Sequence, residues 1–210
     1  ERIDALDGIS GTLCDVGDAA QVDRLFDEAE PALGGLDILV NNAGIAGSAP
    51  FHRMDTEHWN SMINTNLNGT YWCTRQVYPA MRDAGWGRII NVASTAGLKG
   101  YGYIAAYVAS KHGIIGLTRA LALEAAKTGI TVNAICPGYT DTDVVARTIE
   151  TITSKTGRSE EDALAELVVH NPQARLIQPE EVAETTAWLC LEGSASVTGQ
   201  SIAVAGGEVM

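Results

Sequence analysis

The stretch at residues 36–44 reads LDILVNNAG, and it decides the fold class of this chain. Residues 36–40 form a short, largely apolar run, which is closed by the turn Asn41-Asn42-Ala43-Gly44. Such a run is typical of a strand that is buried on both faces of a parallel sheet. Since a sheet of that kind is covered by helices on both sides, the stretch predicts an α/β fold.

The rest of the chain repeats this pattern on both sides of the stretch. Further strand-like apolar runs lie at residues 9–14, 88–93, 130–135 and 202–204. Apolar residues at helical spacing predict helices from Asp18 onward, over 56–82, over 104–127 and from Pro179 to about residue 191. The alternation predicts one Rossmann-like domain over residues 1–210, built on a doubly wound parallel sheet.

The residues that follow the predicted strands are small, polar or turn-forming. In open α/β sheets, ligands bind beyond the carboxyl ends of the strands, so these residues are the first candidates for a site. They are Asp15 and Val16, Asn41 to Gly44, Ser94 and Thr95, and Pro137, Gly138, Tyr139 and Thr140.

The composition argues against several other classes of protein. The chain carries 26 acidic and 14 basic residues, a net charge of −12, whereas nucleic-acid binders usually have the opposite sign. No apolar stretch approaches the roughly 20 residues of a membrane helix. The four cysteines are widely spaced and the four histidines lack ligand spacing, so we expect buried thiols in a reducing compartment and no metal site.

Tyr107 and Lys111 are the strongest candidates for chemistry. They lie four residues apart on a predicted helix and therefore share a face. A nearby ammonium stabilises a phenolate and lowers the pKa of the tyrosine, which suits acid–base work. Ser94, at the end of the preceding strand, offers a hydroxyl that can orient a reacting oxygen. The pair alone is a weak motif, because Tyr107 could be an interfacial aromatic residue and Lys111 a solvated charge.

Several motifs together resemble the short-chain dehydrogenase/reductase family over essentially the whole chain. They are Asn41-Asn42-Ala43-Gly44, Asn66, Ser94, Tyr107-x-x-x-Lys111 and Pro137-Gly138-x-x-x-Thr142, in that order. The resemblance implies an NAD- or NADP-dependent oxidoreductase that interconverts a secondary alcohol and a ketone. It also implies that the proton passes through Tyr107, that Lys111 lowers the pKa of the tyrosine and holds a ribose, and that Ser94 orients the substrate oxygen.

The resemblance implies further roles for residues around this centre. Asn66 would hold a water of a proton relay, with Asn64 and Asn68 as nearby alternatives. The other residues implied to bind the cofactor are Asp15, Val16, Asn41, Asn42, Ala43 and Gly44 at the adenosine end, and Pro137, Gly138, Thr140 and Thr142 at the nicotinamide end.

One feature of the family is missing from the sequence. Family members carry a glycine-rich phosphate loop in a segment of about 50 residues that precedes the part matched by this chain. This sequence contains no counterpart of that loop. We therefore expect the natural protein to be longer, and residues 1–210 alone not to form an active enzyme. The choice between NAD and NADP cannot be made from this sequence, since the selecting residue belongs to the same segment.

The substrate is suggested by a second, weaker resemblance. Residues 86–145 are most similar to bacterial 3-hydroxyacyl-CoA and 3-hydroxybutyrate dehydrogenases and acetoacetyl-CoA reductases. The segment 143–175 resembles a substrate lid, and its cations Arg147, Lys155, Arg158 and Arg175 could receive an anionic tail or simply be solvated. Alternatives are a sugar, cyclic or steroid alcohol, or a non-catalytic fragment. The resemblance also implies a cytoplasmic homotetramer in which the helices of Asn66 and Tyr107 pack at one interface.

Overall fold

The computed structural model describes residues 8–210, whose four strands form one parallel sheet in the order β1-β2-β3-β4. The strands are β1 Ile38–Asn41, β2 Gly87–Val92, β3 Ile130–Pro137 and β4 Ser201–Val204. The two central strands are almost entirely buried, as their unbroken apolar runs require. Four of the five predicted strands are thus confirmed, each to within two residues at its start.

The helices lie on both faces of the sheet. They are α1 Ala19–Leu33, α2 Thr56–Met62, α3 Gly69–Ala84, α4 Ala105–Ala125, α5 Asp143–Thr156, α6 Glu160–Val168 and α7 Pro179–Cys190. Neighbouring strand residues point to opposite faces, so Ile89 packs against α3 and α4 while Ile90 packs against Leu189 of α7. The predicted doubly wound, Rossmann-like α/β sheet is confirmed.

Helix ends follow the local chemistry of the sequence. The Asp18 carboxylate accepts hydrogen bonds from the backbone N–H groups of Ala20 and Gln21, so it caps the N-terminus of α1. Pro179 occupies the first position of α7, where the lack of an N–H group does no harm. The predicted helix over 56–82 is interrupted, however, because Ile63–Asn68 is wound as a π-helix between α2 and α3.

The strand predicted at residues 9–14 is wrong. This segment carries no strand structure, and the side chains of Ile9 and Leu13 are exposed. A strand forms only where a neighbour supplies hydrogen bonds, and within residues 8–210 β1 is paired on one side alone, with β2. Residues 1–7 lie outside the described part of the chain.

Candidate active site

A cleft of about 750 Å³ opens at the carboxyl ends of the strands. The loops after β1, β2 and β3 line it together with the first turns of α4 and with α5. Nine residues singled out from the sequence are among its lining: Asn42, Gly44, Ser94, Tyr107, Lys111, Pro137, Gly138, Thr140 and Thr142. The topology therefore brings together motifs that are up to 100 residues apart in the sequence.

Tyr107 and Lys111 occupy successive turns of α4. The ammonium of Lys111 lies 5.6 Å from the centre of the Tyr107 ring and donates a hydrogen bond of 2.9 Å to the Val92 carbonyl. Lys111 is buried, and this burial lowers the pKa of its amine to about 8, although the nearby Cys136 thiol acts in the opposite direction. The amine is thus held against the end of β2 rather than in solvent.

The Tyr107 phenol has a raised pKa. Burial is the main cause, the Tyr139 phenol adds to it, and a hydrogen-bond interaction with the Ser94 side chain partly opposes it. The pKa lowering predicted from Lys111 stays a prediction for the complex with a cofactor, because the raised pKa of Tyr107 in the protein alone reflects burial of the phenol. At neutral pH the phenol keeps its proton and can donate it.

Ser94 begins the short 3₁₀ helix Thr95–Gly97 directly after β2. Its hydroxyl oxygen accepts a hydrogen bond of 3.1 Å from the Ala96 backbone N–H. This contact fixes the side chain at the cleft wall beside Tyr107 and leaves the hydroxyl proton free for another acceptor.

Asn66 lies in the π-helix behind the cleft and is completely buried. Its side-chain carbonyl accepts from the Ile45 N–H at 2.8 Å, and its amide donates to the Ile45 carbonyl at 3.0 Å and to the Ser110 hydroxyl at 3.1 Å. The alternatives Asn64 and Asn68 hydrogen-bond to each other in an exposed position instead. Asn66 thus ties the turn after β1 to α4.

The turn after β1 passes close to both Asn66 and Lys111. A Cβ placed on Gly44 would lie 3.2 Å from the Asn66 side-chain oxygen and 3.6 Å from the Lys111 Nζ. Since the first distance is shorter than an ordinary van der Waals contact, only glycine lets the turn approach this closely.

A second cavity of about 190 Å³ shares Asn42 with the cleft. Val16, Asn41 and Ala43 line it, and their role at the adenosine end of the site stays a prediction. The Asn41 amide is committed to the interior, however, because it donates to Thr74 and Asn91. Asp15 is exposed and lines neither cavity, and its carboxylate accepts from the Gly17 N–H at 2.8 Å.

The loop after β3 forms the wall opposite the turn after β1. The Thr140 hydroxyl donates to the Gly138 carbonyl, and the Thr142 hydroxyl donates to the Thr140 carbonyl. These local bonds hold the loop where it leads into α5.

Three residues of the region were not assigned a role from the sequence: Tyr101, Tyr139 and Glu208. Tyr101 and Tyr139 line the cleft, while Glu208 is buried beside them. Tyr139 is a candidate from its place after a strand, but the sequence assigns it no specific role. Glu208 carries no local sequence signal, since only the fold brings it to the cleft.

The described residues contain no cluster of three or more histidine, cysteine, aspartate or glutamate side chains suited to a metal ion. No helix among them is both long enough and apolar enough to cross a membrane.

The fold and the site define an oxidoreductase of the nicotinamide-dependent α/β class, and the chain belongs to the short-chain dehydrogenase/reductase family. Residues 3–208 match a family profile described as enoyl-(acyl carrier protein) reductase. The sequence predictions of the family, the enzyme class and NAD or NADP as the cofactor class are confirmed.

Several relatives are similar over most of their length. A putative ketoacyl reductase of Streptomyces coelicolor is 42% identical over 94% of this chain and 76% of the relative. A D-β-hydroxybutyrate dehydrogenase of Cupriavidus necator is 41% identical over 88% and 72% of the two chains. An acetoacetyl-CoA reductase of Shinella zoogloeoides is 41% identical over 86% and 71%.

A solved structure has the same fold. It is a single-substitution variant of actinorhodin polyketide ketoreductase with NADPH, which superposes with a TM-score of 0.90 at 42% identity. The match covers 94% of this chain and 77% of that one.

Proposed function

We propose that this enzyme interconverts 3-oxoacyl and 3-hydroxyacyl thioesters with NAD(P)(H). The observation that carries the proposal is the partly buried phenol of Tyr107, which keeps its proton at neutral pH, faces Ser94 at the cleft wall and has Lys111 one helical turn away. A proton donor, an orienting hydroxyl and a fixed amine around one cleft are what carbonyl reduction requires.

The two adjoining cavities fit a dinucleotide. The smaller one is lined by Val16, Ala43 and other apolar side chains and suits a flat base. Asn42 and Gly44 line the larger one. Lys111 lines it too, and its amine can contact ribose hydroxyls. When bound, the nicotinamide supplies or accepts the hydride at the substrate carbon.

The residues of the chain manage the proton. In the direction of reduction, the Tyr107 hydroxyl transfers its proton to the substrate oxygen as the carbonyl becomes an alcohol. Ser94 donates a hydrogen bond to the same oxygen and keeps it in line with the phenol. Lys111 is a positive charge that stabilises the phenolate left behind, and Asn66 holds the turn and the helix on either side of this amine.

The cations of α5 support a thioester with an anionic tail. Arg147 and Lys155 line the cleft and form no ion pair with the described residues. Arg158 pairs with Glu166 instead, and Arg175 pairs with Glu181 at 2.6 Å. Two of the four cations noted in the sequence are thus available for a phosphate group.

A second candidate is oxidation of a small 3-hydroxy acid. The similarity to a D-β-hydroxybutyrate dehydrogenase supports it, and the same two cations could hold a carboxylate. The ratio of kcat/KM values for acyl-CoA esters and for the free acids decides between the two substrate classes.

We further propose that residues 143–175 act as a substrate lid within a single domain and that the enzyme is a cytoplasmic homotetramer. The lid is supported by α5, which both covers the cleft and carries its cations. The four unpaired cysteines suit a reducing compartment. Exposed apolar residues on α3 and α4 support contacts between subunits.

Replacement of the phenol tests this function. Tyr107→Phe should lower kcat/KM for reduction of acetoacetyl-CoA by about 10²–10⁴-fold, because the proton donor is lost. NAD(P)H absorbance gives the rate. Tyr103→Phe is the matched control, since that phenol is exposed and does not line the cleft. Parental rates in Tyr107→Phe, or no turnover of acyl thioesters and hydroxy acids by the natural full-length enzyme, would contradict the proposal.

A further inference from the structure

Glu208 is a buried carboxylate beside the cleft. It follows β4, and its side chain is only 2% exposed. It lies 3.1 Å from the Lys99 ammonium and accepts a hydrogen bond of 2.5 Å from the Tyr101 hydroxyl. A carboxylate this far from solvent requires such partners, so the three side chains act as one unit.

The Tyr101 ring is the member of this unit that reaches the cleft. It lines the cleft, and its hydroxyl also hydrogen-bonds to Thr95, the neighbour of Ser94, at 2.8 Å. The Lys99 ammonium lies 4.9 Å from the centre of the ring. Burial and the bond to Glu208 raise the pKa of Tyr101, so the phenol stays protonated as a donor to the carboxylate.

The backbone around Tyr101 does not fix the ring by itself. Gly100 and Gly102 flank it, and no atom lies within 4 Å of the position that a Cβ would take on either glycine. Glycine backbone has wide conformational freedom, and here no packing restricts it. The place of the ring therefore depends on the bonds that its side chain makes.

Glu208 also lies close to the loop after β3. A Cβ on Gly138 would lie 3.2 Å from the second carboxylate oxygen of Glu208. One side chain thus bonds to Tyr101 in the loop after β2 and lies near Gly138 in the loop after β3, which lines the cleft.

We propose that Glu208 is a positioning residue that sets acyl-chain selectivity by holding the Tyr101 ring in the cleft wall. This inference rests on the proposed function. Because Glu208 accepts the hydrogen bond of the Tyr101 hydroxyl and pairs with Lys99, the wall offers an aromatic ring whose hydroxyl is already bound. Such a surface accepts a hydrocarbon chain and limits its length.

Two single variants and their combination test the role of Glu208 in the full enzyme. Glu208→Gln removes the charge at equal volume, and Tyr101→Phe removes only the hydroxyl. Each should change the ratio of kcat/KM values for four-carbon and eight-carbon 3-oxoacyl thioesters by about tenfold, with more of the change in KM than in kcat. The double variant should change it no further than either single variant, because both remove the same interaction.

Glu192→Gln is the matched control. That carboxylate also accepts a hydrogen bond from an aromatic residue, Trp86 at 2.9 Å, but it does not line the cleft, so its loss should leave the ratio unchanged. Unchanged selectivity in both test variants, or additive effects in the double variant, overturns the role of Glu208. Where Glu208→Gln fails to fold, Tyr101→Phe tests the same bond. Absence of any thioester turnover by the natural full-length enzyme contradicts the proposed function instead.

Discussion

The two titratable residues on α4 respond to burial in opposite directions. Burial disfavours the charged form of each, so the pKa of the Tyr107 phenol rises while the pKa of the Lys111 amine falls to about 8. The protein without cofactor therefore carries a neutral phenol beside an ammonium that loses its proton at a lower pH than an exposed lysine does. This arrangement is ready for reduction, which begins with a proton on Tyr107.

The shifted amine predicts a pH dependence of stability. Below about pH 8 Lys111 is charged in both states and its burial opposes folding. Between about pH 8 and about 10.4 the unfolded chain binds more protons, so this residue makes the folded state more stable as pH rises. The raised pKa of Tyr107 acts in the opposite direction only above about pH 10.

Lys111→Met should remove this trend. The free energy of unfolding of the parent should increase relative to the variant between about pH 7.5 and about pH 9.5, as measured by urea denaturation without cofactor. Lys127→Met serves as the control because Lys127 is exposed to solvent. A constant difference between parent and Lys111→Met over this range would show that the amine is not desolvated.

At the scale of elements, the π-helix between α2 and α3 is stabilised by hydrogen bonds to neighbouring elements. Its widened turn places Asn66 against the turn after β1 and against α4, where three hydrogen bonds hold it. π-helical turns are rare and occur frequently at functional sites. Here the turn lies directly behind Gly44 and Lys111.

Asn66→Ala should lower the free energy of unfolding by about 2–3 kcal/mol, because buried polar groups lose their partners. Asn68→Ala removes an exposed amide bonded only to Asn64, so it should change stability by less than about 0.5 kcal/mol. Chemical denaturation measures both. Equal effects of the two variants would contradict the structural role of Asn66.

The cations of α5 predict a difference in KM between thioesters that carry a phosphate group and thioesters that do not. Arg147→Met and Lys155→Met should each raise KM for a CoA thioester by about fivefold, the effect of about 1 kcal/mol. KM for the matching N-acetylcysteamine thioester, which has no phosphate, should stay the same. Arg158→Met is the control because Arg158 pairs with Glu166. Equal changes for both thioesters would exclude a phosphate contact.

At the scale of the whole molecule, α4 presents an apolar strip to solvent. Gly116, Ala120 and Leu123 lie on one face at helical spacing, and Leu123 is 80% exposed. Small residues allow two helices to approach closely, and an exposed leucine beside them is typical of an interface. The strip supports packing of α4 against a second copy of the chain.

Leu123→Asp should convert the proposed tetramer to a smaller species, since a carboxylate would be buried without a partner. Light scattering during size-exclusion chromatography gives the mass. Leu33→Asp, at an exposed apolar position on α1, is the control and should keep the parental mass. A tetramer that persists in Leu123→Asp would place the interface elsewhere.

Local patterns were sufficient to predict most of the fold and the centre of the candidate site. Continuous apolar runs identified β1 to β4, and the spacing of Tyr107 and Lys111 placed both on one helix face, because strand and helix periods depend on neighbouring residues alone. The exception at residues 9–14 failed because a strand also requires a partner.

Only the tertiary structure decided how the environment acts on these groups. Three findings depend on burial or on residues distant in sequence. They are the direction of the Tyr107 pKa shift, the pairing of Arg158 but not Arg147 with a carboxylate, and the hydrogen bond between Glu208 and Tyr101. By itself the sequence determined which chemical groups the strand ends carry. Desolvation and long-range pairing, which arise only when the chain packs, determined what those groups can do.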